Sequence, residues 1–528
     1  MGRDATCKLL AMRGRAQFSY ETTPTFDTMR PRTQRISDPI DPSRVDEILA
    51  EVERGASYVV AVRPDDASGV LAGCRTAHRL PYGEWFVTLA DRPEATRLDG
   101  EFAVAGPLTL LFPENGTETA ATTSIEYRHH PTVTVRSYGA GRVVGCGFGD
   151  LAAAMDHPML GSLLDRLARS DLPSTSAELG VGVVGYGPFG GMGYLHGLAA
   201  TETDGLALVA AADAAPERIE AARIDFPDLR GHASADELAA DPDVDIAIIA
   251  TPPVLHAELA RTLLRAGKHV VVEKPMCLDP ADADGLIAVA AEHERVLTVH
   301  QSRRWDTDWL ALRRVIGRGD IGEVFNLETF VGGFEHPCRA WHSEESISGG
   351  AVYDWGSHHI DWIIQQYGSA PTKVLCSTHT RVWLDTTNVD QLAVWMQWPD
   401  GREATFRQSD VCAIRRPKFH VQGTGGTIEG HYAPVRTDAI EPGRGFRAGE
   451  SHHAERPVDL RVVRYDGDHG LIDAAVPPAP HPGWGFHRNL ADHLLLGEPL
   501  AVRPEQSRDV VAVLEAAHRS GSKGGELV

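Results

Sequence analysis

Short apolar runs alternate with helical patterns through the middle of the chain, and this alternation defines its clearest region. It predicts strands at residues 181–184, 206–212, 244–250 and 269–272. Helices are predicted between them, from a glycine-rich segment toward residue 200, at 216–224 and at 256–266. Strands that alternate with helices at this spacing are typical of a parallel, doubly wound sheet. We therefore predict an α/β domain over residues 179–300.

The preceding part of the chain predicts a smaller α/β unit at residues 41–170. Asp41 can cap a helix whose first residue is Pro42, and apolar residues then recur at helical spacing. Strands are predicted at 58–62, 85–89, 108–112, 132–136 and 142–145, followed by a helix at 157–168. Residues 1–40 carry no such pattern and are predicted to be a loose arm, and the polar segment 171–178 is predicted to be a linker.

Beyond residue 324 the pattern changes to longer strands with fewer helices between them. The strands are predicted at 373–379, 391–397 and 419–423. This change predicts an α+β domain at residues 301–528 with a large, predominantly antiparallel open sheet. We expect this domain to carry the substrate and oligomer contacts.

Composition excludes several classes of function. A net charge of −22 argues against nucleic-acid binding, which needs clustered Lys and Arg. No apolar run reaches membrane-spanning length, and the N-terminus lacks the apolar core of a signal peptide. The seven cysteines are odd in number and lack the spacing of zinc or redox motifs, so we interpret them as reduced thiols. A cytoplasmic protein without membrane or nucleic-acid partners is expected.

The glycine-rich segment predicts a dinucleotide site, because it follows a strand and opens a helix. Gly185 permits the tight turn, Gly187 lets the backbone approach a pyrophosphate, and Gly190 allows close packing of the helix on the strand. Asp213 ends the second strand, where a carboxylate binds ribose hydroxyls and repels a 2′-phosphate. No Arg follows Asp213, so a Rossmann domain that uses NAD rather than NADP is predicted. The alternative is a structural turn with an unrelated aspartate.

Candidate catalytic residues follow the strand at 269–272 and lie on a later helix. Lys274 stands where ligands of such sheets bind, and desolvation there lowers a lysine's pKa toward use in proton transfer. Asp354, His358 and Asp361 are spaced i, i+4 and i+7, which predicts one shared helix face. Lys274 could instead be a surface lysine, and Asp361 could only cap or pair. Because adjacent helical residues point about 100° apart, His358 and His359 make a poor metal site, and no metal is expected.

Three segments together resemble the Gfo/Idh/MocA oxidoreductase family, which includes inositol, glucose and glucose–fructose dehydrogenases. They are Glu273-Lys274-Pro275, the Ala250–Pro253 segment with His256, and the helix that begins after Gly349-Gly350. The resemblance covers residues 179–528, including 300–305 and 497–500. It implies Lys274, Asp354 and His358 as the catalytic residues, with hydride passing directly to nicotinamide. The implied cofactor contacts are Gly185, Gly187, Pro188, Phe189, Gly190, Asp213, Thr251, Pro252, Pro253, His256, Glu273 and Lys274.

Substrate contacts are expected from segments that should reach the cleft between the two domains. The candidates are Arg303, Arg304, Trp305, Trp341 and His358. Aromatic faces suit sugar C–H groups, and guanidinium groups suit hydroxyls. The alternative for either arginine is a simple pair with a surface carboxylate.

Residues 84–168 weakly resemble the later half of ThuA-like domains, which are similar in fold to class I glutamine amidotransferases. The segments at 91–93, 99–102 and 134–143 carry this resemblance. Ala105-Gly106 replaces an expected Asp-Glu pair, and Phe148-Gly149-Asp150 replaces an expected Gly-His-Asp. A truncated, non-catalytic accessory domain that packs or oligomerises is therefore predicted.

The leading functional hypothesis is an NAD-dependent dehydrogenase of a sugar, glycoside or polyol. ThuA-like proteins are associated with Gfo/Idh dehydrogenases in the handling of disaccharides through 3-keto sugars, which favours a glycoside by association only. An NAD-requiring glycosidase that oxidises C3 transiently is the first alternative. A non-enzymatic NAD-binding sensor is the second, and the presence of Lys274, Asp354 and His358 together argues against it. A small carbohydrate substrate and a homo-oligomer are expected.

Overall fold

The computed structural model arranges the chain around three β-sheets. It describes residues 33–90, 92–95, 98, 101–125, 128–169, 178–187, 191–334, 336, 341–432, 457–467, 470–479 and 483–528. The predicted linker at 171–178 lies outside the described residues except for residue 178, and so do residues 1–32 of the predicted arm. Within the described residues, no helix combines the length and apolar character that crossing a membrane requires.

The first sheet has seven strands in the order β1-β2-β7-β6-β5-β3-β4, with parallel pairing at one end and antiparallel pairing elsewhere. Its strands are β1 (Thr33–Ile36), β2 (Ser57–Ala61), β3 (Cys74–Leu89), β4 (Glu101–Pro113), β5 (Thr117–Ile125), β6 (Arg128–Tyr138) and β7 (Gly141–Cys146). Its helices are α1 (Val45–Glu53), α2 (Ser68–Leu71), α3 (Leu151–Asp156) and α4 (Pro158–Ala168). The predicted loose arm is wrong at 33–36, because this segment pairs with β2.

The N-terminal helix begins as its residues predict. The Asp41 carboxylate accepts a hydrogen bond of 2.8 Å from the backbone N–H of Ser43, so the chain starts a 3₁₀ turn at Pro42 that continues into α1. Val45, Ile48 and Val52 are the buried face of α1. Apolar residues on the two faces of the sheet form two clusters, one under α1 and one under α4.

The second sheet is wholly parallel, in the order β10-β9-β8-β11-β12-β13. Its strands are β8 (Leu179–Val184), β9 (Leu206–Ala212), β10 (Arg230–His232), β11 (Ile246–Ile249), β12 (His269–Val272) and β13 (Leu297–Val299). Its helices are α5 (Met192–Glu202), α6 (Pro216–Asp225), α7 (Ala235–Ala239), α8 (His256–Arg265) and α9 (Pro280–Glu292). The predicted doubly wound Rossmann sheet is confirmed.

The third sheet has eight strands in the order β15-β16-β17-β14-β18-β19-β20-β21 and is antiparallel except between β14 and β17. Its strands are β14 (Val324–Gly332), β15 (Lys373–His379), β16 (Gln391–Gln397), β17 (Glu403–Ser409), β18 (Phe419–Gly423), β19 (Gly426–His431), β20 (Asp459–Tyr465) and β21 (Leu471–Val476). The helices are α10 (Thr307–Gly317), α11 (Glu345–Ser348), α12 (Ala351–Asp354), α13 (Gly356–Tyr367), α14 (Gly485–Leu496) and α15 (Pro504–Ser522). Helix α13 packs on this sheet, whereas Phe486 and Leu490 of α14 join the apolar core of the second sheet.

Ion pairs join the N-terminal unit to the C-terminal helices. Arg166 of α4 is buried, and its Nη2 lies 2.7 Å from Oδ2 of Asp492 in α14. Arg169 Nη1 lies 3.0 Å from Oε1 of Glu498 just beyond that helix. These ion pairs therefore link the N-terminal unit to α14, which packs on the second sheet.

Candidate active site

Three neighbouring strands of the parallel sheet end at the same level. Val184 of β8 is in register with Ile249 of β11, which is in register with Val272 of β12. The loops after these strands contain the glycine motif, Thr251 and Lys274, so the parallel register brings all three to the carboxyl edge. Ligands of open α/β sheets bind at this edge.

Two glycines of the turn have the positive φ that favours glycine. Gly185 has φ +85°, and a Cβ there would lie 2.7 Å from Cγ2 of Thr251. Gly187 has φ +69°, and a Cβ there would meet no atom of the described residues within 4 Å. The backbone of Gly187 is thus open toward the edge of the sheet, as an approaching pyrophosphate requires.

Asp213 connects this turn to the end of β9. Its Oδ2 accepts from the N–H of Gly187 at 3.1 Å, and its Oδ1 accepts from the N–H of Ala215 at 2.9 Å. Each carboxylate oxygen has a second lone pair, so both can still accept from ribose hydroxyls.

The described residues fit a dinucleotide. Gly187 presents open backbone, and the Thr251 hydroxyl is buried without a hydrogen-bond partner among the described residues. Gly193 allows α5 to approach, because a Cβ there would lie 2.3 Å from the carbonyl oxygen of Tyr186. The sequence assigned that packing role to Gly190, which lies with Pro188 and Phe189 outside the described residues.

His256 is placed between two loops of the edge. It is fully buried, with Nδ1 2.8 Å from the carbonyl oxygen of Pro275 and Nε2 2.8 Å from that of Thr251. A 3₁₀ turn that starts at Pro253, directly after Pro252, leads into its helix. His256 therefore fixes the Thr251 loop against the Lys274 loop, and its nitrogens face these carbonyls.

Lys274 and Asp354 are in direct contact across the domain cleft. Nζ of Lys274 lies 2.7 Å from Oδ1 of Asp354 and 3.3 Å from its carbonyl oxygen. Burial would raise the pKa of Asp354, but the Lys274 ammonium group outweighs it and holds that pKa below its usual range. The pair is thus a carboxylate that positions an amino group.

His358 lies beside this pair as a neutral imidazole. Burial lowers its pKa well below the usual range, and the positive charges of Lys274 and Arg303 act in the same direction. Its Nδ1 is buried and has no hydrogen-bond partner among the described residues. A neutral imidazole has a lone pair on one ring nitrogen, so His358 is able to accept a proton.

His342 is a site residue that sequence reasoning missed. Burial lowers its pKa, and the charges of Asp354 and Lys274 act on it in opposite directions. Trp341 stacks on its ring with centroids 3.7 Å apart. No motif marks His342, because only the fold brings the 3₁₀ turn at Trp341–Ser343 to Asp354.

Asp354, His358 and Asp361 do not lie on the one continuous helix that their spacing predicts. The helix is interrupted at Trp355, which separates α12 from α13. Asp361 is fully buried and accepts two hydrogen bonds from Arg304, of 2.6 and 2.7 Å. Asp361 therefore pairs, which is the alternative that its sequence position left open.

Arg304 is corrected as a substrate contact. The Arg304 guanidinium is buried and also donates to the carbonyl of Ala501 and to Gln506. Trp305 packs against α14, since a Cβ on Gly485 would lie 2.3 Å from its ring. Arg304 therefore has structural contacts, whereas a substrate role for Trp305 stays a prediction.

Arg303 and Trp341 stay beside the catalytic group. The Arg303 guanidinium lies over the Trp355 ring at 4.8 Å, and its Nη1 contacts Asp306. Its charge acts on the pKa of both Asp354 and His358. These two residues remain candidates for substrate binding.

Glu273 faces the interior. Its Oε1 accepts from Nε2 of His196 and from Nδ1 of His300, and its Oε2 accepts from the N–H of Lys274. Burial would raise its pKa, but these imidazoles hold that pKa well below the usual range. Glu273 therefore anchors the Lys274 loop.

Comparison with known proteins finds matching family models and relatives. Residues 179–301 match the model of the oxidoreductase family with an NAD-binding Rossmann fold, and residues 309–429 match the GFO/IDH/MocA C-terminal domain. A scyllo-inositol 2-dehydrogenase (NADP(+)) of Bacillus subtilis is 25% identical over 345 residues, 65% of this chain and 94% of the relative. An uncharacterized oxidoreductase of Schizosaccharomyces pombe is 36% identical over 330 residues, 58% of this chain and 86% of the relative. An NAD-binding protein from Listeria innocua, 27% identical, superposes with a TM-score of 0.57 over 66% of this chain and 96% of its own.

Proposed function

This chain belongs to the Gfo/Idh/MocA family of oxidoreductases, and from that premise we propose that it is an NAD-dependent dehydrogenase of a secondary hydroxyl on a sugar, glycoside or polyol. The observation that carries the proposal is the contact of Lys274 with Asp354 at 2.7 Å beside the neutral imidazole of His358. This group lies at the same sheet edge as the open backbone of Gly187. The Bacillus subtilis relative is named for an inositol, whose ring carries secondary hydroxyls.

The protein side of the reaction is the movement of one proton. In the oxidation direction, the substrate C–H bond breaks as a hydride leaves, and the hydroxyl proton goes to a ring nitrogen of His358. Lys274 Nζ, positioned by Asp354, donates a hydrogen bond to the substrate oxygen as that oxygen becomes a carbonyl. In reduction the same groups return the proton.

When bound, a nicotinamide dinucleotide would supply the hydride acceptor or donor. The residues that would hold the dinucleotide are Gly185 and Gly187 in the turn, Asp213 at the ribose and Thr251 in the next loop. His256 keeps the Thr251 and Lys274 loops together.

We propose NAD over NADP on the chemistry of Asp213. Its carboxylate accepts from ribose hydroxyls and repels a 2′-phosphate, and Ala214 and Ala215 follow it. The Bacillus subtilis relative is named as an NADP(+) enzyme, so likeness to that relative does not decide the cofactor. Titration with NADH and NADPH tests the proposal, and tighter binding of NADPH would overturn it.

A panel of sugars, glycosides and polyols with NAD tests the reaction. Absorbance of the reduced nicotinamide and chromatography of the products are followed in the same samples. Oxidised sugar formed in equal amount to NADH supports the dehydrogenase. Cleavage of a glycoside without net NADH would show the NAD-recycling glycosidase instead.

We propose that residues 41–169 form an accessory unit without a catalytic residue. Its contacts with the remainder include the buried pair of Arg166 with Asp492 and the pair of Arg169 with Glu498. Every residue assigned above to cofactor or proton transfer lies beyond residue 180. The ThuA-like origin of this unit remains a prediction.

A further inference from the structure

We propose that His196, His300 and His487 form a buried site for a divalent transition metal, best suited to Zn²⁺. Glu273 is the carboxylate that orients two of the three imidazoles. The site lies behind the Lys274 loop and is separate from the proton-transfer group. It goes beyond the proposed dehydrogenase, whose chemistry does not depend on it.

The three histidines come from distant parts of the chain. His196 lies on α5, His300 directly follows β13, and His487 lies on α14. All three are buried, and one ring nitrogen of each lies within 4.8 Å of the others. Three convergent imidazoles are a common ligand set for zinc.

The closest pair of nitrogens is already near the spacing that an ion imposes. Nδ1 of His196 lies 3.0 Å from Nε2 of His487. Two nitrogens at about 2.0–2.1 Å from one tetrahedral zinc ion are roughly 3.3 Å apart. Small ring rotations would therefore convert this contact into shared coordination.

Hydrogen bonding to Glu273 sets which nitrogens are available. Oε1 of Glu273 lies 2.9 Å from Nε2 of His196 and 2.7 Å from Nδ1 of His300. A neutral imidazole has one N–H, so donation to the carboxylate leaves a lone pair on Nδ1 of His196 and on Nε2 of His300. Metal-binding histidines commonly donate their other N–H to a carboxylate in this way.

The charge of Glu273 also favours a cation. The carboxylate is buried, and no lysine or arginine among the described residues forms an ion pair with it. A buried carboxylate is costly unless an opposite charge compensates it. A dication held by His196 and His300 would supply that charge one imidazole away.

The ion would clamp three segments that support catalysis. It would join α5, the end of β13 and α14 through His196, His300 and His487. Because Oε2 of Glu273 accepts from the N–H of Lys274 at 3.0 Å, the same network fixes the backbone of the catalytic lysine. Water is the expected fourth ligand. The competing arrangement is a metal-free chain in which His487 donates to His196 and His196 donates to Glu273.

Metal content of the full-length protein tests the site. The protein is incubated with Zn²⁺, dialysed and assayed by mass spectrometry, and a second sample is loaded with Co²⁺ and scanned for ligand-field bands. The test variant is His487→Gln, and the matched control is His129→Gln, which removes one exposed imidazole from β6. We expect one tightly bound ion per chain in the wild type and the control, and its loss in His487→Gln.

Measurements on the wild type keep the test valid if a variant does not fold. A zinc chelator should lower Tm, and Zn²⁺ but not Mg²⁺ should restore it. Glu273→Gln should weaken Zn²⁺ binding by about 10–100-fold. A wild-type protein that retains no Zn²⁺ or Co²⁺, with a Tm insensitive to chelator, would overturn the proposal and leave the hydrogen-bonded chain.

Discussion

Replacing Arg304 with Met tests whether this arginine supports the fold or binds substrate. The guanidinium lies 2.6 and 2.7 Å from the two oxygens of Asp361, which is fully buried. Methionine keeps much of the apolar stem and leaves the carboxylate without its partner. Breaking a buried ion pair on one side costs about 3–5 kcal/mol of unfolding free energy. For domains of this size, that corresponds to a fall in Tm of roughly 6–20 °C.

The chain offers a control with the same geometry at the surface. Arg461 and Asp473 form two contacts of 2.7 Å, but their side chains are 55% and 53% exposed. Arg461→Met removes the same atoms as Arg304→Met, and solvent screens an exposed pair, so its loss should change stability little. The difference between the two variants reports the burial of the Arg304 pair together with the contacts of Arg304 to Ala501 and Gln506.

Denaturant unfolding gives the free energies, and substrate kinetics below both unfolding transitions give KM and kcat. We expect a large loss of stability for Arg304→Met alone, with KM of the folded fraction near the wild-type value. Equal stability of the two variants would refute the reasoning from burial. A raised KM for Arg304→Met with unchanged stability would restore the substrate role that its sequence position suggested.

Three further changes test separate parts of the structure. Gly187→Val should lower the affinity for NADH by roughly tenfold or more, because the valine side chain would fill the space through which the pyrophosphate approaches the turn. The control Gly319→Val, at a similar φ of +75° in an exposed turn, should leave that affinity unchanged. Arg166→Met should lower Tm and leave kcat unchanged, because it removes the Arg166 partner of Asp492 at the junction with the N-terminal unit. A loss of kcat at unchanged Tm would contradict the accessory role of the N-terminal unit. Burial lowers the pKa of His269 to about 4, below the value of about 6.5 in unfolded chains, so its stabilisation is complete above pH 6.5 and is lost as pH falls toward 4. After reduction for the partial exposure of His269, this loss is about 2 kcal/mol. Between pH 7 and pH 4, the free energy of unfolding should therefore fall by about 2 kcal/mol less in His269→Gln than in the wild type.

Local pattern predicts strands well where apolar residues alternate or form a buried run. The ends of β9, β12, β15, β16 and β18 agree with the sequence to the residue. The sequence pattern does not predict β5, because its Thr-rich sequence lacks a clear apolar face. The same pattern places β1 in a loose arm. Strand β1 is specified by its pairing with β2, which a local window does not contain.

The site residues also separate into those that local sequence predicts and those that depend on contacts between distant segments. Lys274, Asp354 and His358 were found through motif positions, and the structure brings Lys274 into contact with Asp354. The interruption at Trp355 is not visible in helical spacing, which predicts one continuous helix from Asp354 to Asp361. His342 reaches Asp354 only through the fold, and the three histidines near Glu273 reach one another in the same way. Each of these contacts joins distant segments of the chain, for which sequence spacing gives no signal.

The most direct test of the central claim is the rate of nicotinamide reduction in a single turnover, compared between the wild type and Lys274→Met with a substrate identified from the panel. The account predicts a rate lower by about 10²–10³-fold in Lys274→Met, because the hydrogen bond that its positioned ammonium group donates to the substrate oxygen is lost. NADH affinity should stay unchanged, since the glycine turn and Asp213 are untouched. Reduction by Lys274→Met at the wild-type rate would contradict the account.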